Sequence, residues 1–462
     1  MAEDALAMLQ QKDLQHVWHP LTQHQAYREG ARPLVITGGQ GAFVYTADGQ
    51  AFLDAAAGLW CVNVGYGRQE LADAGAKQLR ELAYYPLTHS HPRAIELAER
   101  LASYLPRTPH IYFSNSGSEA NEVAFKAVRQ YWKQQGKPGK IKILSRFRGY
   151  HGTTMGALAA TGQPGRRQGY EPLTPGFIQV AQPYCYRCPF HLEYPSCHMQ
   201  CADDFERRIE IEGADTVAAI IIEPVTAGGG VIVPPVGYLK RVEEIARQYD
   251  VKLIIDEVVT GFGRLGAMFA TSFFDIHPDI VTMAKGLASG YMPISATAFS
   301  DELFEGFLGG PDSQRHLRHV NTFGGHPVAA AVALANIDVI ESENLVERSQ
   351  TSGQKLLKGL QDALMDQPNV GDIRGMGLLV GIELVKDRLT KEPVPNAVMR
   401  SIAKAALAQG VIIGKASDVE HERNNMLMFA PPLVMTDADI SQLINVVWGS
   451  VVEVMEREVA KA

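Results

Sequence analysis

Through the middle of the chain, short apolar runs alternate with longer stretches of helical spacing, and this order limits the fold more than any other feature. The runs at 141–144, 217–222, 253–255, 280–283 and 296–299 carry almost no polar alternation, as expected of strands covered on both faces. Between them, Tyr238, Leu239, Val242, Ile245, Ala246 and Tyr249 recur with helical period. Strand and helix in strict succession predict an α/β fold: a mostly parallel sheet flanked by helices, whose ligand site lies beyond the carboxyl ends of the strands. Residues that do chemistry should therefore follow the apolar runs directly.

The two ends read differently. Residues 42–54 place apolar or alternating runs around Asp48-Gly49, a hairpin signal. The last third holds short strand-like runs at 378–384, 411–413 and 426–429, then a helix with Ile440, Leu443, Ile444, Val447, Val451 and Val454 on one face. No repeat or Pro/Ser linker divides the chain. Two cores are expected at 462 residues. The expected division is a large domain over 61–330 and a smaller α/β domain built from 1–60 and 331–462. Lys+Arg 43 against Asp+Glu 51 leaves a net charge of −8, which argues against a nucleic-acid partner. No apolar run approaches the roughly 20 residues of a membrane span. The acidic N-terminus reads as mature sequence, with the cytoplasm as the expected location.

Four sites stand at predicted strand ends. Ser114-Asn115-Ser116-Gly117-Ser118-Glu119 follows the run at 111–113 and opens a helix. Ser116 with Glu119 fits a capping box, and backbone N–H groups at such a terminus can hold a phosphate or simply cap the helix. Asp256 ends the run at 253–255 and Glu223 the run at 217–222. A carboxylate there can hold a protonated ring nitrogen or serve as an ordinary solvated cap. Lys285, between Ala284 and Gly286, follows the run at 280–283. An exposed lysine is a surface charge, whereas a desolvated one is a nucleophile able to form a Schiff base.

Taken together, a phosphate cradle, a strand-end acid and a strand-end lysine supply the three handles of pyridoxal 5′-phosphate: phosphate, pyridinium nitrogen and aldehyde. The chain resembles the class III aminotransferases of fold type I, through SNSGSEANE at 114–122, FRGYHG at 147–152, IIEPV at 221–225, IIDEVVTGFGR at 254–264, MAKGL at 283–287 and NTFGGHP at 321–327. The resemblance implies that Lys285 carries the cofactor as a Schiff base and later shuttles a proton. It implies that Asp256 keeps the pyridinium protonated. Ser116, Gly117 and Ser118 would cradle the phosphate, Tyr150 and Val258 would cover the two ring faces, and His151 and Glu223 would complete the cofactor pocket. Thr322 matches a residue that reaches the phosphate from the partner subunit, which implies a homodimer with shared active sites, and a tetramer is left open.

For substrate, the resemblance implies that Trp60 is a pocket aromatic, with Leu59, Leu87 and Ala227 lining the same cavity and Arg423 as the anion partner. Core packing remains the alternative for Trp60. The expected reaction passes an amino group from a small amine to a 2-oxo acid, pyruvate being the expected acceptor. Taurine is the first candidate donor; diamines, β-alanine and general amines are the alternatives. A decarboxylase, aminomutase or phospho-lyase on the same scaffold is the second enzyme class. A dinucleotide fingerprint at Gly228-Gly229-Gly230 fails because Val231-Ile232-Val233-Pro234-Pro235 opens no helix.

Cys185, Cys188, Cys197 and Cys201 follow C-x2-C-x8-C-x3-C spacing, with His191 and His198 inside. The pattern can hold zinc, remain as reduced thiols, or pair as disulfides, the last disfavoured in cytoplasm. No metal is assigned. The cluster lies outside the cofactor residues and is expected to stabilise a surface excursion.

Overall fold

The computed structural model describes residues 2–416, 419–420 and 424–459. Its centre is a sheet of seven strands: β1 (His110–Ser114), β2 (Lys142–Arg146), β3 (Phe177–Val180), β4 (Val217–Ile222), β5 (Lys252–Asp256), β6 (Ile280–Met283) and β7 (Ser295–Phe299). They lie in the order β1-β7-β6-β5-β4-β2-β3. Strands β2 to β6 pair in parallel. β7 runs antiparallel between β6 and β1. Only residues 284–294 separate β6 from β7, too little for the helical crossover that usually joins parallel neighbours.

Every residue of β4, β5 and β6 is buried, which is why these runs show no alternation. Their side chains still alternate between two helical layers. Ile143, Ile221 and Ile254 pack with Val123, Ala124 and Val128 of α1 (Gly117–Gln134). Ile220, Ile222, Leu253 and Ile255 meet Phe205, Ile209, Val242 and Ile245 from α2 (Gln200–Glu212) and α3 (Tyr238–Gln248). Each such side chain contributes about 1.5–3 kcal/mol. Pinned from both faces, the strands present their C-terminal ends as a fixed rim.

The hairpin expected around Asp48-Gly49 forms, with Thr46 and Gln50 closing the turn and Gly49 at φ 86°. Its strand Ala51–Asp54 pairs in parallel with Val411–Ile412, so the two ends of the chain share one sheet. Val370–Met376, Leu379–Asp387, Met426–Phe429 and Gly414–Lys415 form a further sheet. Leu53, Phe113, Val281 and Leu427 belong to one apolar cluster, which ties these sheets to the central one. No helix among the described residues is long and apolar enough to cross a membrane.

Candidate active site

Lys285 follows β6 by two residues and takes φ 42°, a left-handed conformation rare for a residue with a side chain. Trp60 (φ 60°), Arg148 (φ 64°) and Phe262 (φ 58°) are held the same way. Strain of this kind costs on the order of 1–3 kcal/mol per residue and collects where surrounding contacts over-determine the backbone. Gly286 makes the approach possible, since a Cβ there would sit 2.5 Å from Asn63 Nδ2. The Lys285 ammonium lies 5.0 Å from the centre of the Trp60 ring. Burial lowers its pKa from the ordinary 10.5, against the opposing pull of Cys61, Asp256 and Glu223. The residue as a whole is partly exposed.

Asp256 ends β5 almost fully buried. Its Oδ2 accepts from Asn121 Nδ2 at 2.9 Å and lies 2.8 Å from His151 Nδ1, while Oδ1 accepts from the Val258 amide at 3.1 Å. Asn121 is itself fixed, donating to the His151 carbonyl (2.7 Å) and accepting from the Thr282 hydroxyl (2.8 Å). Glu223, at the end of β4, accepts from the amides of Tyr150 (3.0 Å) and Ala227 (3.1 Å). Burial pushes its carboxyl up, with His151 opposing.

The next acid plays a different part. Successive strand residues face opposite ways, so Glu257 turns into the core, accepting from the Thr260 hydroxyl and from the Thr271 amide at 2.7 Å. Burial pushes its pKa from 4.5 up to about 7. Folded protein thus holds this proton more tightly than unfolded chain. The associated stability is complete below pH about 4.5 and is lost as pH rises toward about 7, roughly 3 kcal/mol in all. In denaturant titrations from pH 4.5 to 8, Glu257→Gln is expected to gain about 3 kcal/mol relative to the parent. A constant difference would show that Glu257 is ionised throughout.

At the start of α1, the Ser116 hydroxyl accepts from the Glu119 amide at 3.2 Å. Glu119 reaches back to the Asn115 amide at 2.8 Å, one residue beyond the Ser116 amide that a capping box would use. Ala120 makes the first intrahelical bond, to Ser116, which leaves the Gly117 and Ser118 amides without helical acceptors. A Cβ on Gly117 would lie 2.9 Å from Val258 Cγ1, so the helix start abuts the residue after the Asp256-Glu257 pair. The Ser118 hydroxyl accepts from the Thr153 amide at 3.1 Å and joins this terminus to the loop carrying Tyr150 and His151.

Of the expected lining residues, Trp60 packs against the cluster that contains Ala227, and Ala227 is fully enclosed. Leu59 is 77% exposed and Leu87 41%. Leu87 lies against Gly325, and Thr322 is exposed nearby, its carbonyl accepting from the Tyr84 hydroxyl at 2.7 Å. Together with Tyr84 and Phe323 these two residues form an exposed patch. Arg423 lies outside the described residues.

The cysteine segment is more than a surface excursion. Tyr184 and Arg187 both bond the buried Glu383 carboxylate of the C-terminal sheet, and Lys391 donates to the Tyr186 carbonyl at 2.8 Å. Cys201 is buried with α2, Cys185 is exposed, and all four cysteines are free thiols. Among the described residues no three metal-binding side chains are arranged to hold an ion.

Sequence reasoning passed over Asn121, although a polar residue on the apolar face of α1 was the available signal.

The family description "Aminotransferase class-III" matches residues 25–448. The chain belongs to the class III aminotransferases. A taurine–pyruvate aminotransferase of Bilophila wadsworthia is 45% identical over 94% of each chain. A putrescine–pyruvate aminotransferase of Pseudomonas aeruginosa is 37% identical over 93% of this chain and 92% of its own. The ω-transaminase of Pseudomonas jessenii in complex with PMP superposes with a TM-score of 0.92 at 38% identity, covering 97% of this chain and 98% of its own. Class III aminotransferases are pyridoxal 5′-phosphate enzymes, and the residues here fit that cofactor: free amides at Gly117 and Ser118, a buried carboxylate at Asp256, and a desolvated amine at Lys285.

Proposed function

We propose that this class III aminotransferase is an ω-aminotransferase that takes an amino group from taurine and delivers it to pyruvate. The observation that carries the transfer chemistry is the meeting of Lys285, Asp256 and the α1 terminus at one end of the central sheet. The choice of donor and acceptor is supported by the 45% identical relative.

When bound, the cofactor supplies an aldehyde that takes up the amino group and a ring that accepts electrons from the substrate carbon. The residues divide the remaining work. Gly117 and Ser118 would donate their amides to the phosphate. Asp256, fixed by Asn121 and His151, would accept from the ring N–H and hold that nitrogen protonated. Tyr150 and Val258 would cover opposite ring faces, and Glu223 would stand beside the ring while holding the Tyr150 backbone in place. Lys285 would hold the cofactor covalently, then take a proton from the substrate carbon and return it one atom away. Trp60 would shield that proton from water. We further read the chain as a homodimer in which Thr322 and Leu87 complete the partner's site, because both stand exposed on one patch with Tyr84 and Phe323.

The test follows the visible absorbance of cofactor-loaded protein with taurine, β-alanine, a diamine or an aralkyl amine, then with pyruvate. Bleaching by taurine and recovery with pyruvate is the expected result. Bleaching only by the diamine or the neutral amine would overturn the taurine assignment while leaving aminotransfer intact.

A further inference from the structure

Arg166 is a half-buried arginine in the short helix Pro164–Arg167, after the motifs that marked the site. Its guanidinium carbon lies 5.1 Å from the centre of the Tyr150 ring. Its Nε donates to Gln163 Oε1 at 2.8 Å, and the fully buried Gln163 donates from Nε2 to the Arg148 carbonyl at 2.9 Å. Gln163 and Trp60 both border Gly228. A methyl group placed on Gly228 would touch Trp60 Cζ3 and Cη2 at 3.5 Å and Gln163 Nε2 at 3.6 Å. Trp60 in turn carries the Lys285 amine over its ring. Arg166, Tyr150 and Gln163 therefore form one wall, which meets Trp60 at Gly228.

What sets Arg166 apart is its missing partner. Arg148, the other guanidinium of this wall, is committed to the Gly229 carbonyl (2.8 Å) and to Glu420 (2.9 Å). Arg167 faces Glu171 and Gln179. Arg166 forms no ion pair among the described residues, and neither of its terminal nitrogens makes a hydrogen bond there. A half-buried guanidinium held by its Nε presents the two remaining nitrogens as a fork, the geometry that matches two oxygens of one oxyanion. Its charge is felt inside the site, where it draws the Tyr150 hydroxyl down against the upward push of burial.

We infer that Arg166 is a specificity-determining residue that binds the distal oxyanion, sulfonate or carboxylate, of the amino donor, with Gln163 setting its position. The inference rests on the proposed aminotransferase reading and gives it a recognition element within the described residues. Taurine and β-alanine both carry such an anion opposite the amine, whereas a neutral amine has nothing to offer the fork.

The test separates binding from turnover. Ethanesulfonate and propionate, which carry the oxyanion but no amine, are titrated calorimetrically into the cofactor-loaded parent, Arg166→Gln and Arg166→Lys. Loss of a charge-assisted pair should weaken binding about ten- to a hundredfold in Arg166→Gln, with partial recovery in Arg166→Lys. The stronger probe identifies which oxyanion the fork prefers. In single half-reactions the same variant should lose taurine or β-alanine turnover by a similar factor, through KM more than kcat, while an aralkyl amine stays within about twofold. Equal losses for charged and neutral donors, or unchanged ethanesulfonate and propionate binding, would overturn the role of Arg166. Failure of the parent to react with any amine would instead overturn the aminotransferase reading, a separate result.

Discussion

Lys285→Ala is expected to lower transamination by about 10⁴-fold or more without unfolding the protein. Two functions leave with one side chain: the nucleophilic amine that would hold the cofactor, and the base that would move the substrate proton. Stability should not follow activity down. Burial lowers the Lys285 pKa from 10.5, so folded protein binds this proton less tightly than unfolded chain does. The lysine therefore destabilises the fold increasingly as pH drops from 10.5 through its lowered value, and at neutral pH its removal relieves that penalty. Lys285→Met, which keeps the volume of the stem, should melt no lower than the parent when both are cofactor-free at pH 7. Added methylamine should restore part of the rate of Lys285→Ala, since a free base can reach a partly exposed site. A variant within about tenfold of the parent in activity would remove Lys285 from the chemistry, and one that melted markedly lower would contradict the account of its burial.

Lys285, Asp256 and Glu223 could be placed from sequence because strands buried on both faces write themselves as unbroken apolar runs. β4 and β6 begin and end where the runs do, and β5 extends its run by one residue at each end. Any residue that follows such a run is at the ligand end of a parallel sheet. Strand direction carries no such mark. Ser295–Phe299 has the composition of a central strand, and only the short 284–294 connection betrays its reversed sense. β3 was missed because half-exposed edge strands such as Phe177–Val180 need no continuous apolar content.

Within the site, polar residues that touch other polar residues were the hardest to find. Asn121 was visible only as an intrusion on an apolar helix face, and Arg166 had no visible signal, because its place depends on Gln163 and Tyr150 folding back from either side of it. The surface position of Leu59 also lies beyond periodicity, since the four-residue helix Ala57–Trp60 is broken at Gly58 (φ 68°, ψ −101°). In this way Trp60 turns toward Lys285 while its neighbour faces solvent.

Asp256→Asn should lower kcat by on the order of 10² to 10³, about 3–4 kcal/mol of barrier, with a smaller change in KM. The substitution keeps shape and removes charge. In the parent, one oxygen of Asp256 faces Asn121 and His151 and the other takes the Val258 amide. An asparagine has a single acceptor oxygen, so one of these donors must face its NH2 group. If that group turns toward Val258, two N–H groups oppose each other; if it turns inward, Asn121 must flip and give up its bonds to Thr282 and the His151 carbonyl. Either arrangement leaves a buried donor unpaired, a penalty of about 1–3 kcal/mol that should appear as a lower melting temperature. The rate loss has a separate origin, since a neutral amide cannot hold a ring nitrogen protonated. Asn121→Ala separates the two effects. It disturbs the same hydrogen bonds but keeps the carboxylate, so it should lower stability by a comparable amount and kcat by much less. Similar kcat values for Asp256→Asn and Asn121→Ala would show that the Asp256 charge does not drive the reaction and that its hydrogen-bonded position alone matters.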